Sequence, residues 1–343
     1  MERQRFLRLA LLAVCFTMLG LGPVPDLWAA EDHYSTTVSA PKIPSGKKIR
    51  VVVFIPNGPD PYFQSKWYGY EDEAKRLGVT FQLFDAGGYA FLSKQIQQFE
   101  DVIQTKPDAI ILNAVSSTGM VPAFKKAVAA KIPVVVDNVP LRTDVAVQIM
   151  KSDYEIGMLN GAGLVEYLGG KGKVAMLPGP PGVDAAKWRY DGTMEYLQRF
   201  KGIQIVATKW TTSDPAEGLK NMEDILQAHP DLKGVYCLGG LLQQGIVQAL
   251  KARGKKPGEV TVSCQDIAKH QEQAMREGWV QVLVPNTQVN MARDAMRLAV
   301  KMVLGEKVPA MTWNRTVIVT PKNVDSYDFG GNNPPEGWKA QLR

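Results

Sequence analysis

From Lys48 onward, short apolar runs alternate with longer segments in which apolar residues recur every three or four positions. Residues 51–55 form a continuous apolar run, which predicts a strand buried on both faces, and 79–84, 109–112 and 134–136 repeat the signal at similar spacing. Between the first two, Asp60 suits an N-cap and Pro61 a first helical position. Phe63, Trp67, Tyr70, Ala74 and Leu77 then follow at helical spacing, and Gly78 is placed to end the helix. The second half predicts strands at 174–177, 203–207, 235–238, 260–263 and 280–284, with helices at 154–168, 187–200, 216–228, 241–251 and 269–277. A long helix over 289–304 precedes a last strand at 317–320, and the Gly- and Pro-rich stretch from Asp325 predicts irregular structure. Strands alternating with helices predict an α/β fold of parallel sheets covered on both faces. The length of the chain predicts two such doubly wound lobes.

The chain opens differently. Arg3, Arg5 and Arg8 precede an apolar run over 9–21, and Leu27-x-Ala29 ends in small residues, which is the pattern of a secretory signal peptide over 1–29 cleaved near Ala29 or Ala30. A bilayer span needs about 20 apolar residues, and Pro23, Pro25 and Asp26 stop this run short. Cys15 follows the branched Val14, where a lipoprotein site needs a small residue. Export leaves Cys237 and Cys264, each at the end of an apolar run. A core this large needs no disulfide, so two buried free thiols are expected. The net charge of +6 is spread along the chain without a Lys/Arg block, which argues against nucleic acid or an anionic membrane as partner.

Catalytic chemistry has little to build on. Gly170-Lys171 and Gly172-Lys173 are not followed by Ser or Thr, and there is neither a G-x-G-x-x-G after the first strand nor a G-x-S-x-G elbow. His33, His229 and His270 have no partners at metal-ligand spacing. No catalytic residue, metal or cofactor is therefore expected, and binding takes precedence over turnover.

In parallel α/β sheets, ligands bind outside the carboxyl ends of the strands. The residues there are Asp60, Tyr62 and Phe63 after the first strand, Tyr89 after the second, and Asp137 and Asn138 after the fourth. The second half offers Asp153 near a crossing between lobes, Lys187 and Arg189 after residue 177, Gln265 and Asp266 after 262, and Asn286 after 284. Plainer roles stay open at several of these. Asp60 and Asp153 suit helix caps, and Lys187 and Arg189 suit a solvated surface.

Several pieces, in order, carry a family likeness: Pro59 to Phe63, Val136-Asp137, Ser152-Asp153-Tyr154, Ala185 to Arg189 before Asp191-Gly192, Gln265-Asp266, and Val303 to Lys307. Over 48–322 the chain resembles the type I periplasmic solute-binding proteins, which include ribose- and galactose-type receptors. The resemblance implies two lobes joined by three hinge crossings. It assigns 48–150 with 289–315 to the first lobe, 151–288 with 316–324 to the second, and 325–343 to an irregular tail. It further implies a periplasmic monomer that closes on a small polar ligand and presents it to an ABC-type permease.

Asp60 to Phe63, Ala86 to Tyr89, Met176 to Pro180 and Val319 to Asn323 look more narrowly like TorT-type sensors of trimethylamine N-oxide, whose partner is a sensor histidine kinase. Phe63 and Asp153 stand where that subgroup has Trp, and Gln265 where it has Tyr. An aromatic cage for a methylammonium group needs those rings. The sugar pattern also departs: Gly239-Gly240 replaces the Asn-Asp pair of ribose-type receptors, and Asn138 and Lys187 stand at usual Arg positions. Asp137, Asp266 and Asn286 with Tyr62 and Phe63 still suit a polyol, since carboxylates accept from hydroxyls while rings cover an apolar face. Four carboxylates, Asp60, Asp137, Asp153 and Asp266, disfavour an anion, leaving a sugar, polyol or methylamine-type ligand. A cytoplasmic repressor would need a DNA-binding headpiece where the signal peptide stands. An exported hydrolase using Asp137 and Asp266 would turn over a glycoside.

Overall fold

The computed structural model describes residues 38–340, apart from 145, 213 and 315; the predicted signal peptide lies outside the described residues. The strands are β1 (Arg50–Ile55), β2 (Thr80–Asp85), β3 (Ala109–Leu112), β4 (Val134–Asp137), β5 (Val147–Lys151), β6 (Lys171–Gly179), β7 (Gly202–Trp210), β8 (Gly234–Cys237), β9 (Thr261–Gln265), β10 (Val282–Val284) and β11 (Met311–Asn314). They form two sheets, in the orders β11-β5-β4-β3-β1-β2 and β10-β9-β8-β6-β7, and every pairing of neighbours is parallel. These are two α/β lobes. β1, β3, β4, β8 and β9 lie inside their sheets and are almost wholly buried; β1, β3 and β4 are accordingly near-unbroken apolar runs, while β9 buries Thr261, Ser263 and Gln265 as well.

The helices are α1 (Pro61–Leu77), α2 (Leu92–Gln104), α3 (Val121–Ala129), α4 (Asp153–Leu168), α5 (Asp184–Leu197), α6 (Pro215–Ala228), α7 (Gly240–Ala252), α8 (Lys269–Arg276) and α9 (Gln288–Val303). Asp60 caps α1 by accepting from the Tyr62 amide at 2.8 Å, and Gly78 ends it at φ 68°, a conformation that costs glycine little. α1 packs against α9 at Gly69, where a Cβ would lie 2.5 Å from the Val289 carbonyl. Both helices belong to the apolar cluster built on β1 and β3 of the first sheet. Cys237 and Cys264 face each other in register on β8 and β9, both buried and unbridged.

The connections differ from expectation at the lobe junctions. The strand expected at 317–320 is a single antiparallel bridge from Val319 to Leu283. Pro321 follows at once, and the Asn323 side chain takes the Thr320 amide that a ladder would have used. The true last strand is β11, an edge strand of the first sheet with Met311 and Trp313 exposed, so its sequence lacks the apolar run that marks interior strands. β5 gave no clear signal either, because Gln148 and Lys151 interrupt it. Helix α5 starts at Asp184, three residues before the predicted start, since Lys187 and its neighbours already make helical bonds back to Val183.

Candidate functional site

The first lobe's part of the site grows from α1 and the end of β4. Tyr62, Lys66 and Tyr70 recur at i, i+4 and i+8, so they share one face of α1. That face closes over Asp137, the last residue of β4. Lys66 Nζ lies 2.6 Å from Asp137 Oδ1, the Tyr70 hydroxyl donates to Asp137 Oδ2, and all three side chains are fully buried. Asn113 donates to the Tyr70 hydroxyl at 2.9 Å and to the Phe54 carbonyl at 3.1 Å, completing the network. Burial pushes the Asp137 carboxyl up against the pull of Lys66 and Tyr70, and it pushes the Lys66 ammonium down against Asp137. Both Asp137 oxygens are thus engaged inside the lobe, beneath the site.

What this lobe offers from above is mainly aromatic, with the Asp60 carboxylate near Tyr89 at its edge. The Tyr62 hydroxyl donates to Asn138 Oδ1 at 2.9 Å, and Asn138, just past β4, holds φ 75°. Phe63 packs edge-on against Tyr62 with centroids 5.2 Å apart and lies 6.3 Å from the ring of Tyr89. Tyr89 is half-exposed at the rim, and Asp60 is engaged at the cap of α1.

The second lobe's part is charged and rich in acceptors. Asp153, the first residue of α4 after the Ser152 cap, takes Lys151 Nζ at 2.7 Å, Arg189 Nε at 2.8 Å and the Arg189 terminal nitrogen at 2.5 Å on one oxygen. Burial works against the Asp153 carboxylate, but Lys151 and Arg189 outweigh it and hold the carboxyl below its ordinary value. Arg189 reaches this place because α4 and α5 nearly touch. A Cβ on Gly157 would sit 2.0 Å from the Arg189 carbonyl, and one on Gly192 2.1 Å from the Tyr154 carbonyl.

Asp266 follows β9 at φ 66° and receives the side-chain amide of Asn286. Burial pushes its carboxyl up, while Arg189, Lys151 and Asn286 pull it down without fully offsetting that. Since the Asn286 amide nitrogen points at Asp266, its oxygen points elsewhere. That oxygen and Gln265 Oε1 are both buried without a hydrogen-bond partner, an arrangement that favours a donor being brought to them.

The two parts face one another. Burial first, and then the fields of Asp137, Tyr89, Asp153 and Asp266, push the Tyr62 phenol well above its usual range, so two second-lobe carboxylates lie within electrostatic reach of a first-lobe ring. Of the residues singled out from the sequence, Asp60, Tyr62, Phe63, Tyr89, Asn138, Asp153, Arg189, Gln265, Asp266 and Asn286 fall in this linked group. Asp137 belongs to it only through its buried partners. Lys187 does not: it is exposed on α5 and paired with Asp191 one turn on, in the surface role left open for it above. Sequence reasoning missed Lys151, Lys66 and Tyr70. A lysine repeating on the apolar face of α1 was the available signal for Lys66. Lys151, two residues before Asp153, left little, because the arginine that joins it there comes from 36 residues away. Among the described residues no group of three or more His, Cys, Asp or Glu side chains is placed to hold a metal ion.

Comparison with known proteins adds a lineage. A family model described as a periplasmic binding protein domain matches residues 51–307, more than half of the chain. The ribose import binding protein of Bacillus subtilis is 31% identical over 197 residues, which cover 57% of this chain and 63% of that protein, just under two thirds of its length. The ribose import binding protein of Salmonella typhimurium is 27% identical over 277 residues, covering 80% and 91%. Among solved structures, an ABC transporter periplasmic solute-binding protein from Actinobacillus succinogenes with bound D-allose superposes with a TM-score of 0.72 at 25% identity. That match covers 81% of this chain and all of the other.

Proposed function

The chain belongs to the periplasmic binding protein family, a family of binding proteins rather than enzymes, and we propose that it is the periplasmic, sugar-binding component of an ABC importer. Its lobes would close on a neutral sugar or polyol and present it to a membrane permease. The observation that carries the reading is the complementarity of the two walls: rings and an amide on the first lobe, and acceptors without partners at Gln265 and Asn286 beside Asp266 on the second. Hydroxyl donors satisfy those acceptors, and C–H faces pack on Tyr62 and Phe63. Charge agrees, because Lys151 and Arg189 are matched by Asp153 and Asp266, and Lys66 by Asp137. A neutral ligand leaves that balance undisturbed.

The lobe boundaries that accompany this reading are 48–150 with 289–315 and 151–288 with 316–324. The relatives named for ribose import favour the importer partner. The narrower likeness to TorT-type sensors, and with it a sensor histidine kinase, rests on short segments alone. Thermal-shift screening of the mature protein against D-ribose, D-allose, other pentoses and hexoses, inositols and trimethylamine N-oxide tests the reading. A melt raised by one or a few sugars is expected; a response to the methylamine alone would overturn it.

A further inference from the structure

The stretch from Pro321 lies beyond the residues matched by the family model, yet it is anchored on both lobes. Its first half belongs to the second lobe. Val324 and Tyr327 are buried in that lobe's core with Ile267 and Leu283, and Phe329 packs on the same cluster with its ring 5.1 Å from Tyr327. The Tyr327 hydroxyl donates to the fully buried Asn332, and Asn333 Nδ2 donates to the Ile267 carbonyl at 2.7 Å, one residue from Asp266. Its second half belongs to the first lobe. Trp338 packs edge-on against Tyr68 of α1 with centroids 5.6 Å apart, and its indole nitrogen donates to Glu71 at 3.2 Å. Trp338 and Ala340 both lie against the first-lobe core. Midway, Gly331 abuts the first turn of α9, where a Cβ would come within 2.6 Å of the Asn290 side chain.

We propose that residues 321–340 are a strap, a fourth connection between the lobes that limits how far they open and steadies the loop carrying Asp266. The limit follows from covalent reach. Five residue steps separate the Asn333 anchor from the Trp338 anchor, and a fully extended chain spans at most about 3.3–3.6 Å per residue, so the leash is roughly 17 Å long. Pro334 and Pro335 stiffen it. Opening beyond that reach must release Trp338 from α1 or Asn333 from Ile267. Hinge segments bend without such a limit. By removing the most open arrangements, the strap lowers the free-energy cost of closing; this consequence rests on the proposed closure around a ligand.

The test measures lobe separation in the ligand-free mature chain, so its outcome is independent of whether any sugar binds. Lys125→Cys on the first lobe and Lys201→Cys on the second carry spin labels, both positions being exposed, while Cys237 and Cys264 are buried. Pulsed electron resonance then gives the distance distribution. Trp338→Ala and, separately, Asn333→Ala should extend it to longer distances, with the melting of each lobe near that of the parent. Trp338→Phe, which keeps the ring against Tyr68, should restore the parental distribution. A chain ended after Asn333 serves as the second route to the same release. Unchanged distributions in Trp338→Ala and in the shortened chain would overturn the proposal.

Discussion

Replacing Lys66 by Met while Asp137 stays in place is expected to cost the first lobe about 3–5 kcal/mol at pH 8, the usual penalty for stranding one member of a buried ion pair. At 2.6 Å the attraction between the two charges is about 6 kcal/mol for an effective dielectric near 20. Desolvating each ion costs several kcal/mol, so the intact pair nets little. The directions agree, since burial raises the Asp137 carboxyl and lowers the Lys66 ammonium despite their contact. Without Lys66, Asp137 keeps only the Tyr70 hydroxyl, its carboxyl rises further, and it takes up a proton.

The sign with pH is then fixed. A carboxyl raised in the folded state binds more protons folded than unfolded. Stability is therefore retained below its ordinary value and lost as pH rises from there through the raised folded value. Urea unfolding at pH 5 and pH 8 should show Lys66→Met more destabilised at pH 8. The double variant Lys66→Met with Asp137→Leu should return to within about 1 kcal/mol of the parent at both, because apolar replacement of both partners removes the desolvation cost along with the attraction. Affinity for the proposed sugar should also stay within about threefold, since both Asp137 oxygens are already taken inside the lobe. A loss below about 1 kcal/mol for Lys66→Met at pH 8, or one independent of pH, would refute the reasoning. A double variant as damaged as the single one would do the same.

Two further substitutions probe the second lobe. Asp266→Ala removes an acceptor and the partner of Asn286, and should weaken binding of the proposed sugar by about 1–3 kcal/mol, about 5- to 150-fold; calorimetry giving the parental affinity would remove Asp266 from the site. Gly157→Ala places a Cβ 2.0 Å from the Arg189 carbonyl, so α4 and α5 must part at a cost of about 1–3 kcal/mol. Both a lower melting temperature and weaker binding should follow, through the displaced Arg189. A parental melt would contradict the close approach.

How much was legible can be judged from particular segments. Interior strands such as β1 and β3 announced themselves, because burial on both faces demands an unbroken apolar run, and the cap, face and end of α1 were written in consecutive residues from Asp60 to Gly78. Asp60, Tyr89, Asn138, Asp266 and Asn286 accordingly follow β1, β2, β4, β9 and β10. β5 and β11 were not seen, because one lies at a lobe junction and the other at a sheet edge, where polar residues are tolerated.

What sequence could not decide is who meets whom across long separations. Asp137 looked like a ligand contact as long as its neighbours were only Val136 and Asn138. Folding brings Lys66 and Tyr70 against it from 71 and 67 residues away and spends both its oxygens. Asp153 looked like a cap, and it becomes the shared acceptor of Lys151 and of Arg189, 36 residues on. The tail looked irregular; it carries 3-10 turns at Val324–Ser326 and Phe329–Gly331, and Trp338 finds Glu71 across 267 residues. The sequence by itself determined the periodicities, caps and strand ends, because those depend on interactions within one or two turns of chain. Tertiary structure alone decided which charges are neutralised and which acceptors stay unpaired, because a side chain's electrostatics depend on what lies within a few ångströms of it in space.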